Sequence, residues 1–528
     1  MAYKDLRAFI AELEKRSLLK RVSAEVDWEY EIAGWLRKAA DINGPKPALL
    51  FENIKGYSSD YRLFSGGAVS YPHVALALGL DPGTTPKEII NVYKERLKRP
   101  LPPRLVKDGP VKENVHVGND VNVLEFPVPW WTPRDGGRYV GTWHGNVTKN
   151  PVTGTRNVGM YRVQVLDEKR CGVGFLPFSH MGHHFAQSQG AGKPLEMAIV
   201  IGADETIPMV AATGIPPGKD EFEAAGGLRE EPMDLVKCAT VDLEVPANAE
   251  LVVEGFVSPD ERVPEGPFGE HTGYHGGGVR MRPVFHVTGI MHRSRPIFRG
   301  ALLGQPITEF HVMTDIINSA GALSLFETVG PEGVLAVHCP PAADSACLAI
   351  IQIKPRYVGQ ARNAGRALIS SSVCKYLKTV VLVDDDIDPF DLGQVWWAMA
   401  TRTQGSRDIE VLPYGTASRS DPSVINGEYT DKTLIDATKK LDYPYNPVWG
   451  GHWAPTCTPP KEVMQLVEAR WPGMAGGGED KTQVERLTAF VNREMKPRWE
   501  EMRQDYKLDE ETLKRERTVS YPTLSKNE

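Results

Sequence analysis

The sequence predicts a mixed α+β protein of several domains, and three observations carry that expectation. The chain has 528 residues, about twice the ~250 at which a single hydrophobic core stops growing. Its apolar pattern changes character twice, from helical spacing with short strand-like runs, to closely set strand-like runs, and then to strands alternating with helices. With 41% hydrophobic residues, 11 Trp and a net charge of −7, the composition is that of a globular protein able to bury large cores.

Residues 1–112 are expected to form an N-terminal α/β domain. Leu6, Phe9, Ile10 and Leu13 recur at helical spacing, and ALLFENI (48–54) has the apolar run of a strand. Charges throughout the first 22 residues exclude the apolar stretch of a signal peptide. The basic, proline-rich RPLPPR (99–104) closes the segment. Residues 113–305 read as a β-rich domain, barrel or sandwich, because VGMYRVQVL, LEMAIVIGA, ELVVEGFV and PVFHVTGIM are separated by Gly, Pro and Asn turns. ITEFHVMTDIINSAGALSLFET supplies a connecting helix over 306–330. In 331–460 the runs GVLAVH, CLAIIQIK and TVVLVDDDID alternate with helical stretches, the rhythm of a βαβ sheet. The remainder, 461–528, is a charged helical tail. It carries an apolar stripe of Leu487, Phe490, Val491, Met495, Trp499 and Met502, suited to an arm across a partner subunit or to packing on its own domain.

Composition also excludes classes. No basic stripe interleaved with aromatics points to nucleic acid. Nowhere is there an uncharged run of about 18 apolar residues, so no membrane span is expected. Six scattered cysteines without a CxxC pair fit a reducing, cytoplasmic setting.

Chemistry concentrates in the β-rich segment. VPEGPFGEHTGYH (263–275) holds Glu265 and Glu270 on a Gly/Pro hairpin. Two acids so close repel, raising the pKa of one unless a cation keeps the other ionised. Arg162 is a candidate cation, and a protonated Glu beside it is a candidate general acid. Asn157 lies five residues before Arg162, which in a single strand puts the two on opposite faces unless a bulge at Gly159 re-aims one. His180, His183 and His184 could ligate a metal or be solvated. Glu221 and Glu223 open a helix, where acids commonly complement the dipole.

TRNVGMYR, LPFSHMGHHF, DEFEAAGGL, LVKC and EGPFGEHTGY, in this order, resemble the UbiD family of reversible decarboxylases that use prenylated flavin mononucleotide; NIKGY and VLVDDDIDPFDLGQVWWAMATR extend the match across most of the chain. The resemblance implies a flavin-reductase-like split-barrel cofactor domain between an N-terminal α/β domain and a C-terminal oligomerisation domain. It implies a triad of Arg162, Glu265 and Glu270, with Glu270 as proton donor and Glu265 ionised against Arg162. Asn157, His180 and Glu221 would hold Mn²⁺ or a similar divalent ion, which with K⁺ holds the cofactor phosphate. Arg162 would also contact the cofactor, Lys378 would lie near its phosphate, and His311 near the substrate. The implied substrate is an aromatic or heteroaromatic acid, a class that includes aromatic acyl-CoA carboxylates, with CO₂ as product. Where relatives acting on catechols carry a lysine and a second histidine, this chain offers Ala346 or Cys347 and Ser418. A flavin prenyltransferase would supply the cofactor, and a homodimer or homohexamer is the implied assembly. Two other readings stand beside this one: a metal-dependent hydrolase without flavin, opposed by the lack of an HExxH helix, and a non-catalytic subunit of a carboxylase complex, opposed by the intact triad.

Overall fold

A computed structural model describes residues 3–424, 429–447, 449–474 and 480–505, and the chain divides into two units, 1–438 and 439–528. The first helix, Leu6–Lys15, starts where the Asp5 side chain accepts from the Ala8 N–H, and it buries Leu6, Phe9, Ile10 and Leu13 as their spacing predicts. Beside it lies a four-stranded sheet in the order Leu19–Val22, Ala48–Phe51, Arg62–Ser65, Ile297–Arg299. The last of these strands comes from the far end of the β-rich segment. Residues 1–112 therefore do not complete their own sheet; the edge left by Arg62–Ser65 is capped in parallel by Ile297–Arg299.

That shared strand carries a buried ion network. Arg299 sits 2.8 Å from Glu205 and also grips Glu309, with all three side chains almost wholly buried. Trp143 donates to the other oxygen of Glu205 at 3.0 Å. One guanidinium thus ties the N-terminal sheet to the β-rich domain and to the connecting helix.

The β-rich domain is a nine-stranded sheet whose path curls on itself. Its two ends are Tyr139–Gly141 and Arg156–Gly159. Yet Tyr139–Gly141 runs through only Thr142 and Trp143 into His144–Lys149, which pairs with Arg156–Gly159. Likewise Arg156–Gly159 runs through Met160 and Tyr161 into Arg162–Val165, which pairs with Tyr139–Gly141. Such a link spans about 10 Å at most, so the two edges must approach each other. The result is a split barrel. Asn157 and Arg162 consequently stand on different strands joined by a corner, and the bulge at Gly159 entertained from the sequence is not needed.

Glu309–Val329 forms the connecting helix, buried on several sides by Val312, Met313, Ile316 and Ala320. It leads to a five-stranded sheet ordered Val334–His338, Leu348–Ile353, Thr379–Val383, Tyr429–Ala437, Ile409–Thr416, parallel at its centre and antiparallel at both edges. Helices Gln360–Ile369 and Leu392–Arg402 supply the α part of this layer. In the second unit, helix Lys481–Phe490 passes through a π-helical turn, Val491–Met495, into Lys496–Asp505. Of the predicted stripe, Val491 is buried, Leu487, Met495 and Trp499 are half-buried and Phe490 is exposed; the Met502 side chain and residues 506–528 lie outside the described residues. No described helix is long and apolar enough to cross a membrane.

Candidate active site

The strand Leu251–Glu265 pairs antiparallel with Arg280–His292, and its last residue, Glu265, points into the barrel with no exposed surface. The chain then turns at Gly266 (φ 91°) through a cis Gly266–Pro267 bond. Only glycine suits this position: its φ is left-handed, and an added Cβ would lie 2.7 Å from the Gly278 carbonyl oxygen. Phe268 packs against Tyr139 in a tilted pair with ring centres 4.3 Å apart and lies under the Arg162 guanidinium. Asp135 Oδ1 accepts from the Gly269 N–H at 2.7 Å, and the Glu270 N–H donates to Tyr274 O at 3.0 Å. The loop carrying Glu270 is therefore held by its own backbone on both sides, and its side chain is set by Arg162.

Arg162 opens the strand Arg162–Val165, opposite Gly174. An added Cβ at Gly174 would stand 3.0 Å from Arg162 Cγ, so the glycine makes room for the guanidinium. Arg162 donates from Nε and Nη2 to the two oxygens of Glu265, at 2.8 and 2.9 Å, and from Nη1 to Glu270 Oε1. The Tyr139 hydroxyl donates to Glu265 Oε1 at 3.1 Å. Burial opposes the charge of Arg162, but the two carboxylates outweigh it and raise its pKa further. One rigid fork thus holds a sealed carboxylate on one side and a cavity-facing carboxylate on the other.

The cavity measures about 870 Å³ and is walled by Arg162, Glu270, Arg280, Arg282, Lys375 and the rings of Phe178, Phe310 and Tyr376. Cations predominate on this wall, which suits an anionic ligand. His271, unassigned from the sequence, also lines it. Its Nδ1 lies 2.8 Å from Asp344 Oδ1. Burial works against the imidazolium, but the Asp344 carboxylate prevails and raises the pKa of His271. Ser418 is on the wall too.

Two sequence expectations meet a different geometry. His311 is fully buried and absent from the cavity wall. Its Nδ1 accepts from the Thr308 N–H at 2.9 Å, and Nε2 donates to the His271 carbonyl at 2.7 Å. Burial drives its pKa down to about 4. It therefore caps the connecting helix and braces His271 from behind instead of facing a ligand. Lys378 is likewise turned elsewhere, 2.6 Å from Asp421 and 2.5 Å from the Ser423 hydroxyl. The lysine on the cavity wall is Lys375, three residues earlier, whose pKa burial lowers.

Asn157, His180 and Glu221 converge although they come from a strand and two helix starts. Asn157 Nδ2 is 3.4 Å and His180 Nδ1 3.8 Å from Glu221 Oε1, while the Val158 N–H donates to Glu221 Oε2 at 2.8 Å. Asn157 Oδ1 is buried with no hydrogen-bond partner among the described residues. An orphaned amide oxygen, a buried carboxylate and one imidazole are a donor set for a divalent cation such as Mn²⁺. His180 lies two residues beyond Phe178 and Asn157 three before Met160, both on the cavity wall. His183 is exposed, and His184 is engaged by the Thr148 hydroxyl at 2.9 Å. Glu223, two residues after Glu221 on the same helix, is half-buried.

The fold and site define a split-barrel enzyme with an arginine-held pair of carboxylates. Family models of the 3-octaprenyl-4-hydroxybenzoate carboxy-lyase N-terminal, Rift-related and C-terminal domains match residues 10–93, 104–306 and 311–437. The chain belongs to the UbiD family of carboxy-lyases. It is 33% identical to the phenolic acid decarboxylase of Bacillus subtilis, over 86% of this chain and 95% of that one. The corresponding protein of Sedimentibacter hydroxybenzoicus is 35% identical, over 84% and 93%. Among solved structures, the UbiD-class enzyme HmfF from Pelotomaculum thermopropionicum, in complex with FMN, superposes with a TM-score of 0.78 at 34% identity, over 88% of this chain and 99% of its own. Membership in a carboxy-lyase family disposes of the flavin-free hydrolase reading.

Proposed function

We propose that this protein is a reversible, non-oxidative decarboxylase of an aromatic or heteroaromatic acid, with prenylated FMN as cofactor and Glu270 as proton donor. The observation that carries it is the Arg162 fork, which joins a sealed Glu265 to a Glu270 exposed on the wall of a cationic, aromatic-lined cavity. Phe178, Phe310 and Tyr376 suit a planar ring, and Arg280, Arg282 and Lys375 suit carboxylate and phosphate groups. The related phenolic acid decarboxylases, and the UbiD-class enzyme HmfF solved in complex with prFMN, support the same assignment. The fork and the cationic wall set no upper size for the acid, so an aromatic acyl-CoA carboxylate falls within the class.

Asn157, His180 and Glu221 would hold Mn²⁺ and, with K⁺, the cofactor phosphate, with Lys375 nearby. When bound, the prenylated flavin supplies an electrophilic centre that takes up the electrons left as CO₂ departs. The protein does the rest. Arg162 keeps Glu265 ionised and sets the direction of Glu270, whose carboxyl delivers the proton to the carbon that lost CO₂ and in reverse removes it. The backbone-pinned hairpin fixes that carboxyl over the cavity, and the buried side of the triad keeps water from Glu265. A flavin prenyltransferase would supply the cofactor, and the working form would be a homodimer or homohexamer in the cytoplasm.

The test is a panel of aromatic acids offered in D₂O to enzyme loaded with prenylated flavin. An accepted acid should yield CO₂ and product carrying one deuterium at the vacated carbon. Glu270→Gln should retain the flavin spectrum and lose turnover by about 10²- to 10⁴-fold. Turnover within a few-fold of the parent would remove Glu270 from the mechanism.

A further inference from the structure

We infer that His116, Glu125 and His292 form a divalent transition-metal site in the β-rich domain, remote in role from the cavity, whose wall includes none of them. The fold brings the three together. The strand Asn114–Val117 pairs antiparallel with the end of Arg280–His292, with His116 opposite Ile290. Opposed residues share a face, and side chains alternate along a strand, so His292, two residues on, emerges beside His116. The short helical turn Val123–Glu125 then places Glu125 over both. One ligand atom from each of the three lies within 4.8 Å of the others.

The hydrogen bonds around the cluster leave a hole of the right kind. His292 is only 5% exposed, and its Nδ1 donates to the Arg293 carbonyl at 2.9 Å. That bond fixes the tautomer and leaves the Nε2 lone pair bare; Nε2 is buried without a partner among the described residues. A backbone carbonyl holding the far nitrogen is how ligating histidines are commonly oriented. His116 Nδ1 is also buried and without a hydrogen bond, 3.4 Å from Glu125 Oε2. Tyr61 donates to the other oxygen of Glu125, steering Oε2 toward the histidines. A protonated His116 would answer Glu125 but still leave His292 Nε2 without a donor, whereas one cation answers all three.

Metal–ligand bonds of about 2.0–2.1 Å at tetrahedral angles separate ligands by roughly 3.3 Å, the spacing His116 and Glu125 already have. Two imidazoles and one carboxylate suit Zn²⁺, Co²⁺ or Ni²⁺ better than Mg²⁺ or Ca²⁺. His116 and Glu125 are partly exposed, so water can complete the shell. The ion would clamp the first strand of the domain to the strand whose other end carries Arg280 and Arg282 into the cavity.

Cobalt is the probe. Flavin-loaded parent enzyme, stripped with a mild chelator and dialysed against Co²⁺, should bind one equivalent more per chain than His116→Asn or Glu125→Gln, with the intense visible band of four-coordinate cobalt in the difference spectrum. Both variants keep Asn157, His180 and Glu221, so that set cancels in the difference. The lost equivalent should leave turnover within a few-fold while lowering the thermal midpoint shift that Co²⁺ confers on the parent. Equal cobalt binding by parent and variants would overturn the assignment. Should the variants fail to fold, anomalous scattering from cobalt-soaked parent crystals decides: a peak among the three side chains supports the site, and its absence refutes it.

Discussion

Replacing Arg162 by Lys tests the fork that the whole site depends on. Arg162 makes three charge-assisted hydrogen bonds, two to the oxygens of Glu265 and one to Glu270. Lysine offers a compact charge on a flexible stem, which cannot address both carboxylates along the same directions. Hydrogen bonds to charged groups contribute about 1.5–3 kcal/mol each. Glu265 has no exposed surface, and in the variant keeps Tyr139 at 3.1 Å and a distant Arg282 at 3.9 Å. Losing one such bond to a sealed carboxylate should therefore cost about 2–3 kcal/mol of stability. The larger effect is on the reaction. A Glu270 no longer aimed forfeits up to the whole contribution of a general acid, about 10²- to 10⁴-fold in kcat, which is roughly 3–5 kcal/mol of barrier. Urea unfolding, flavin retention and kcat measured on the same preparation separate these effects. Glu265→Gln in the Arg162→Lys background should add little further loss, because the residues act as a unit. A fully additive double variant, or Arg162→Lys with kcat within fivefold of the parent, would refute the reasoning.

His180→Ala or Glu221→Ala should lower bound manganese and flavin retention together, by metal analysis and absorbance, whereas His183→Ala, at an exposed position, should change neither. Arg299→Met leaves Glu205 and Glu309 buried without their cation and should cost about 3–5 kcal/mol by chemical denaturation. Burial raises the pKa of Glu309, but Arg299 outweighs it and the net shift is downward. Its contribution is therefore present above the unfolded carboxylate pKa and lost as pH falls through the folded one. In Arg299→Met that slope should reverse, with stability rising as pH falls. Deleting residues 483–528 removes the half-buried Leu487 and Met495 and the exposed Phe490. Light scattering should then show a smaller assembly from a still-folded chain, and an unchanged assembly of unchanged stability would rule out this segment as interface.

The sequence by itself determined the main elements and singled out the groups proposed to react. Leu6, Phe9, Ile10 and Leu13 mark a buried helix face because their spacing matches the helical period, and any tertiary arrangement must cover it. Glu265 and Glu270 stand out because a Gly/Pro hairpin restricts the backbone locally, so their neighbourhood is written in adjacent residues. Arg162, Asn157, His180 and Glu221 were legible through resemblance, since no local rule links residues so far apart. Only the tertiary structure decided which candidates share a cavity. His311 and Lys378 stand at positions where sequence suggests a ligand contact, yet the Thr308 N–H, the His271 carbonyl, Asp421 and Ser423 are nearer partners. Asp344 and Lys375 carry no motif and His271 stands unassigned inside EGPFGEHTGY; their place on or behind the wall follows from how the connecting helix and C-terminal sheet pack on the barrel. The His116, Glu125 and His292 cluster is the extreme case, because strand register between His116 and His292, 176 residues apart in the chain, creates it. Side-chain period and turn chemistry are local and can be read along the chain, whereas register, barrel closure and hydrogen-bond competition are set by distant partners.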